Sequence, residues 1–461
     1  MCGVFGIHAP GRDVARVAHF GLHALQHRGQ ESAGIAVSQG GRLTVLRDMG
    51  LVTQVFSEQN LSGLEGEVAI GHTRYSTTGA ALWANAQPLV CHGRARTVAL
   101  GHNGNLTNAG ELRAELAAEG IRLTASSDTE VIAALIANDP SPLADAVAGA
   151  MARLEGAYSV TATAEGALLA FRDPHGFRPL CLGRLDGDWV VASETCALDL
   201  VGAKLEREVA AGELVVIDGA GCHARQAVPP RPAGSLCIFE FFYLARPDSR
   251  LEGIEVHAAR LRMGERLAEE APADADLVLP IPDSGTPAAI GFSRRSGIPF
   301  SEGLIKNRYV GRTFIQPDQG LRQQGLKLKF NPLAEVAGKR LVLVDDSIVR
   351  GNTTRQLVAM LREAGAAEVH VRVSSPPVIG PCFYGIDLAD EDELVAAGRS
   401  VEEVRELIGA TSLAYLPLDG LQAATRRPES RLCRACLTRE YPTEVPAGLR
   451  AEKRRFEAVT A

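Results

Sequence analysis

Cys2 directly follows Met1, so removal of one residue leaves a thiol and a free α-amine on the same residue, nucleophile and base together. A free α-amine titrates at about 7.7 to 8.0 and a free thiol at about 8.5, so near neutral pH the amine can take the thiol proton through a water. Three polar clusters further along can serve such a nucleophile. In GHTRYSTTG, residues 71–79, Arg74 follows an apolar strand pattern and suits a substrate carboxylate, which a planar guanidinium grips in a fork. In GHNGNL, residues 101–106, Asn103 offers a side-chain amide and Gly104 a backbone N–H that no side chain obstructs. Two such donors side by side make an oxyanion hole, although Asn-Gly alone is also the commonest hairpin-turn signal. In SSDTE, Ser127 and Glu130 have the spacing of a capping box, which sets Asp128 in the first turn of a helix, to hold a substrate ammonium or to complement the helix dipole.

A second constellation lies in the other half. The run LVLVDDSIVRGNTT, residues 341–354, is an apolar strand, two carboxylates, a small-residue loop and a helix start. Backbone N–H groups along Ser347, Arg350, Gly351, Asn352, Thr353 and Thr354, with the hydroxyls of Ser347, Thr353 and Thr354, can cradle a phosphate at the helix N-terminus. Asp345 and Asp346 can accept from ribose hydroxyls and anchor Mg²⁺, a hard cation that prefers oxygen ligands. Adjacent carboxylates at a strand end repel unless cations or hydroxyls face them, so the pair itself points to a ligand. Asp283, Ser284 and Gly285 follow another apolar run, ADLVLPIP, and can present amides to a diphosphate, with Ser284 near the metal. Lys306 and Arg312 belong to a cationic loop, KNRYVGRT, suited to closing over a polyanion.

Nine cysteines in a long chain without a secretory signal argue against a disulfide framework and for catalysis or metal binding. Cys433 and Cys436 form a C-x-x-C pair, and Cys237 and Cys382 are distant partners. Such a set can make a four-thiolate zinc site, a [4Fe-4S] site or a redox pair, and spacing does not choose among them. Cys91, Cys181, Cys196 and Cys222 read as small buried hydrophobes.

The elements that must position these groups fall into two kinds. With 461 residues the chain is too long for one core and about right for two domains. To about Gly234 it holds short β-type segments such as GVFGIH, SAGIAVSQ and TVALGHNGNL, with helical patterns at 15–25 and 109–119, which predicts stacked antiparallel sheets with helices outside. PPRPAG reads as a linker. Beyond it strands alternate with helices, hence a parallel α/β sheet. The expected domains are 2–234 and 235–461. A net charge of −7 with no basic run gives no nucleic-acid or membrane footprint, and with no signal peptide or long apolar stretch the expected location is cytoplasmic.

Taken in order behind the N-terminal cysteine, MCGVFGI, HRGQESAGIA, GHTRYSTTG, GHNGNL and SSDTE resemble the glutaminase domain of the N-terminal-nucleophile amidotransferases, a four-layer αββα fold. The resemblance implies that Cys2 attacks the glutamine side-chain amide, Asn103 and Gly104 stabilise the oxyanion, and Arg74 and Asp128 hold the substrate's carboxylate and ammonium. LVLVDDSIVRGNTT, PDSGT and KNRYVGRTFIQP resemble the phosphoribosyl diphosphate (PRPP) site of type I phosphoribosyltransferases. That order of domains, with DPHGFRPL, SETCALD and CIFEFFYLARPDS at the junction, resembles the iron-sulfur branch of the amidophosphoribosyltransferases over almost the whole chain. The resemblance implies conversion of glutamine and PRPP to 5-phosphoribosylamine, with Ser284, Asp345 and Asp346 at Mg²⁺ and Cys237, Cys382, Cys433 and Cys436 holding a [4Fe-4S] cluster. It further implies maturation by loss of Met1 alone, ammonia passing between the sites with Tyr75 as a signalling residue, feedback by purine nucleotides, and a homodimer or homotetramer. The alternative reading is a PRPP-sensing regulator without turnover.

Overall fold

Alternation along the strand Gly3–His8 explains the architecture of the first region. Phe5 and Ile7 point to one side and pack with Leu22 of the helix Val14–Ala24 and with Cys196 to Leu198 of the helix Thr195–Val201. Val4 points to the other side and packs against Leu168, Ala170 and Val215 of a second sheet. Both faces are therefore apolar, as a sheet sandwiched between two layers requires. In the computed structural model, which describes residues 2–76, 79, 81–232, 234–307, 329–388 and 391–446, this strand sits centrally in a seven-stranded antiparallel sheet. It pairs with Val68–Arg74 and with Asp188–Ala192.

The second sheet has six strands, with Thr97–Leu106 paired to Gly156–Ala164. Its outer face packs on the helices Asp128–Asn138 and Leu143–Arg153 through Ile132, Val147, Tyr158 and Val160. Helix, sheet, sheet and helix thus form four layers, the αββα arrangement that the resemblance implied. The segment AYSVTATAEGALLAF is a hairpin of Gly156–Ala164 and Ala167–Arg172.

The second region is built on a four-stranded parallel sheet, in the order Leu277–Pro280, Arg340–Asp345, Glu368–Val373, Ser412–Tyr415. Val342 and Val344 pack to one side with Met263 of the helix Val256–Glu270, while Leu341 and Leu343 pack to the other with Leu357 and Leu361 of the helix Asn352–Glu363. The acidic pair therefore sits at the carboxyl end of a central strand, where parallel α/β sheets bind ligands. Leu236–Cys237 pairs in parallel with Leu432–Cys433, so a segment at the junction and one near the end of the described chain share a two-stranded ribbon.

Two local expectations are corrected. Ser127 does cap the helix that begins at Asp128, but its hydroxyl accepts from the Thr129 N–H, and the Glu130 carboxylate turns back to the N–H groups of Thr124 and Ala125, so no capping box forms. Cys91 and Cys222 are half-buried rather than core residues, unlike Cys181 and Cys196.

Candidate active site

Cys2 is buried at the start of the central strand, and its Sγ lies 3.7 Å from the Tyr75 carbonyl oxygen. Because Gly3 pairs with Thr73, the end of the neighbouring strand brings Arg74 and Tyr75 alongside. Arg74 is buried, and its guanidinium donates to the Gly79 carbonyl at 3.2 Å. Burial pulls that guanidinium below its ordinary value, and the nearby Cys2, Glu31 and Asp128 oppose the change. Asp128 Oδ2 accepts from the Leu106 N–H at 2.9 Å, and Oδ1 stands 3.7 Å from His102 Nδ1. Burial alone would raise this carboxyl, but His102 and the backbone donors more than offset it, and the carboxyl lies below its usual range. Burial would likewise lower the His102 imidazole, and Asp128 reverses the sign.

Asn103 and Gly104 do not form a turn. They lie inside the strand Thr97–Leu106, opposite Ser159 and Tyr158. A tertiary partner strand has overridden a local turn signal here. Asn103 is fully buried, yet neither its Nδ2 nor its Oδ1 has a hydrogen-bond partner. Buried amides are rarely left so, and each such case asks for an explanation such as a ligand or a catalytic role. At Gly104 a side chain would run into the Ala157 carbonyl and His102 Nε2, so only glycine fits there.

The second constellation is also assembled. Asp345 and Asp346 are both buried, and burial followed by their mutual repulsion pushes Asp345 well above the usual carboxylate range. Burial raises Asp346 as well, against hydroxyl donors from Ser284 and Ser347 and the Arg260 charge. Gly285 sits so close to the acidic strand that a Cβ would lie 2.5 Å from the Val344 carbonyl. Gly351 adopts φ 74° and caps the helix Asn352–Glu363, with Asn352 and Thr353 exposed and the Thr354 side chain buried. Arg350 is exposed and paired with Glu393. Asp283 and Lys306 meet in an ion pair at 2.5 Å. Arg312 falls outside the described residues.

All nine cysteines are free thiols. Cys237 and Cys433 face each other in the parallel ribbon, and Cys436 and Cys382 lie within their electrostatic reach. Burial pushes Cys237 up to about 11 and Cys436 well above the ordinary thiol value. Among the described residues no three His, Cys, Asp or Glu side chains converge on a single ion. The four thiols are thus neighbours without forming the tight tetrahedral cage that one zinc ion takes, with every sulfur about 2.3 Å from the metal.

Residues 72–200 match the glutamine amidotransferase domain family and residues 252–375 the phosphoribosyl transferase domain family. The chain is 54% identical to the amidophosphoribosyltransferase of Mycobacterium tuberculosis (strain ATCC 25618 / H37Rv), over 96% of this chain and 87% of the relative. It is 53% identical to that of Synechococcus elongatus, over 100% and 95%. It belongs to the amidophosphoribosyltransferase family. Among solved structures, the glutamine PRPP amidotransferase of B. subtilis complexed with ADP and GMP superposes with a TM-score of 0.90 at 46% identity, covering 97% of this chain and 98% of that one.

For an amidophosphoribosyltransferase, the sequence reading left several residues out. His102 adjoins Asn103 in GHNGNL but escaped because a lone histidine on an apolar strand carries no spacing signal. Arg28, Arg178, Glu194 and Glu240 are fully buried charges around Cys2 and the domain junction, and each lies in a segment quoted for the resemblance without being singled out.

Proposed function

We propose that this amidophosphoribosyltransferase makes 5-phosphoribosylamine, the entry reaction of purine biosynthesis, using Cys2 as the glutaminase nucleophile and the Asp345-Asp346 loop as the PRPP site. In the first half-reaction the Cys2 thiolate attacks the glutamine side-chain carbonyl carbon, the α-amine carries the proton to the departing ammonia, and water then hydrolyses the thioester to glutamate. Asn103 Nδ2 and the Gly104 N–H receive the oxyanion. The observation that carries this reading is the buried Asn103 amide without a partner, because a preorganised donor aimed at developing charge costs no reorganisation when the charge appears. Arg74 grips the substrate carboxylate, and Asp128, kept ionised by His102, receives the ammonium.

In the second half-reaction ammonia attacks C1 of PRPP and diphosphate leaves. Catalysis there is positioning and charge stabilisation. Asp345, Asp346 and Ser284 are the oxygen donors that would hold Mg²⁺, a hard cation that prefers oxygen ligands. When bound, Mg²⁺ neutralises the leaving diphosphate. Ser347, Arg350, Gly351, Asn352, Thr353 and Thr354 take the 5-phosphate, the backbone amides of Asp283 and Gly285 with the Lys306 ammonium serve the diphosphate, and Arg312, outside the described residues, is assigned to the same group. We place the domain division at 234/235.

Cys237, Cys382, Cys433 and Cys436 hold a [4Fe-4S] cluster. Three buried thiols and the half-buried Cys382, all free and within electrostatic reach of one another, supply the four sulfurs such a centre needs, and its role is to tie the C-terminal region to both domains. Purine nucleotides act as feedback ligands, a reading supported by the ADP and GMP in the B. subtilis relative.

The test is diphosphate release from PRPP and Mg²⁺ on anaerobically purified protein, with glutamine, with ammonium, or with neither. Release dependent on either nitrogen donor is expected. PRPP binding without turnover would instead make the chain a sensor.

A further inference from the structure

A buried chain of charges runs from the nucleophile into the second domain. Arg28 Nε donates to the Cys2 carbonyl at 2.9 Å. The other end of the same guanidinium forks onto Glu240, with Nη2 to Oε1 at 2.8 Å and Nη1 to Oε2 at 3.1 Å. Glu240 opens the turn Glu240–Leu244, three residues beyond Cys237, and also faces Arg178 Nη1 at 3.5 Å. Arg178 in turn donates from Nε and Nη2 to the Tyr384 carbonyl at 2.9 and 2.6 Å. The residues flanking Tyr384 press on the strand that bears Asn103 and Gly104. The Phe383 carbonyl accepts from Asn105 Nδ2 at 2.9 Å, and Gly385 lies so close that a Cβ would sit 2.9 Å from the Gly104 carbonyl carbon and oxygen.

Arg28, Arg178 and Glu240 are fully buried. Charges taken out of water persist only when their partners and geometry compensate, and removal of Glu240 leaves Arg178 without its carboxylate and Arg28 with Glu194 alone of its two carboxylates. A structural tie between domains would not need to end on the main chain of the nucleophile. Resting on the glutaminase reading above, we propose that Glu240 is a positioning residue: it sets the Cys2 main chain through Arg28 and, through Arg178 and Tyr384, seats the strand that carries the oxyanion donors. The second domain thereby completes the glutaminase centre from behind, without touching glutamine.

The experiment uses the full chain with Glu240→Gln, which keeps the shape and removes the charge, and with Arg178→Lys, which keeps the charge and loses the fork. Three rates are measured: phosphoribosylamine formation from glutamine, the same from ammonium, and alkylation of Cys2 by a diazoketone analogue of glutamine. The expected result is a loss of about 100-fold in the glutamine-dependent rate and in alkylation for Glu240→Gln, smaller for Arg178→Lys, since misplacement by about 1 Å costs that much. The ammonium-dependent rate should stay within about twofold, which also shows that the variant folds. Equal loss from both nitrogen donors in both variants, or wild-type alkylation in a variant that keeps its ammonium rate, would overturn the proposal. Wild-type protein that makes phosphoribosylamine from ammonium but neither turns over glutamine nor is alkylated at Cys2 would sink the glutaminase reading itself and not the clamp.

Discussion

The Tyr75 hydroxyl donates to Asp387 Oδ2 at 3.3 Å, joining the residue after Arg74 to the segment that starts at Cys382 in the other domain. The Tyr75 carbonyl faces the Cys2 thiol at the same time, so one residue touches both the nucleophile and the second domain. Hydrogen bonds to charged groups are worth about 1.5 to 3 kcal/mol, enough to bias a two-state segment by tenfold or more. PRPP bound in the second domain is expected to stimulate the glutaminase through this contact, and Tyr75→Phe to cut that stimulation about tenfold, with little change in ammonium-dependent synthesis. Glutamate release with and without PRPP checks this, and unchanged stimulation would remove Tyr75 from the coupling.

Three substitutions separate the halves of the reaction. Cys2→Ala should abolish turnover of glutamine and leave synthesis from ammonium. Asn103→Ala removes one oxyanion donor and should lower the glutamine-dependent kcat by about 10² to 10³, with KM for glutamine nearly unchanged. Asp346→Ala should destroy synthesis from both donors. A Cys2→Ala protein that loses the ammonium reaction equally would contradict the two-site scheme.

Gly385 has φ 99° and backs directly onto the Gly104 main chain. Alanine there is strained on both counts, by roughly 1 to 3 kcal/mol from the backbone alone. Gly385→Ala is expected to depress glutamine turnover more than ammonium turnover, because the displaced atoms belong to the oxyanion strand. A KM-against-kcat comparison on both donors reads the difference.

Much of this arrangement was legible in the chain because single segments carried it. Gly3–His8 and Val68–Arg74 read as strands, and LVLVDDSIVRGNTT read as strand, loop and helix start, since apolar spacing and the residues that bound it are local. What was not legible is what long-range partners decide. Asn103-Gly104 carries a turn signal, and only pairing with Tyr158 and Ser159 keeps it extended. Glu130 has a capping-box spacing but finds the amides of Thr124 and Ala125 instead. Arg28 and Glu240 stand 212 residues apart, and nothing in either neighbourhood marks the other as its partner.

A pH dependence follows from Asp173, buried beneath the junction in DPHGFRPL and accepting from the N–H groups of Tyr158, His175 and Phe177. Burial raises its carboxyl to about 6, against the pull of Arg172 and those donors. The native state therefore holds its proton more tightly than the unfolded chain does. Its stabilising contribution is complete below the unfolded value near 3.9 and is lost as pH rises through about 6, a loss of roughly 3 kcal/mol. Asp173→Asn leaves one N–H facing an amide donor and lowers stability by a fixed amount, but it should remove this fall between pH 4 and 7. Urea denaturation of both proteins across that range tests the slope, and parallel profiles would show that Asp173 does not titrate there.

The cysteine site makes the last prediction. Cys237 belongs to the junction, Cys433 and Cys436 to the C-terminal region, and Cys382 to the segment that reaches Asn105 and Gly104 through Phe383 and Gly385. The cluster proposed for all four would join three parts of the chain at one point, and its loss should loosen each of them. Cys436→Ser is expected to lower iron and sulfide together, to lower Tm, and to expose the region after Pro428 to limited proteolysis. Because Cys382 is tied to the oxyanion strand, the glutamine-dependent rate should fall further than the ammonium-dependent one. Wild-type protein that carries one equivalent of zinc and no sulfide after anaerobic purification would replace the cluster with a mononuclear site, and the four thiols would then have to close in around a single ion.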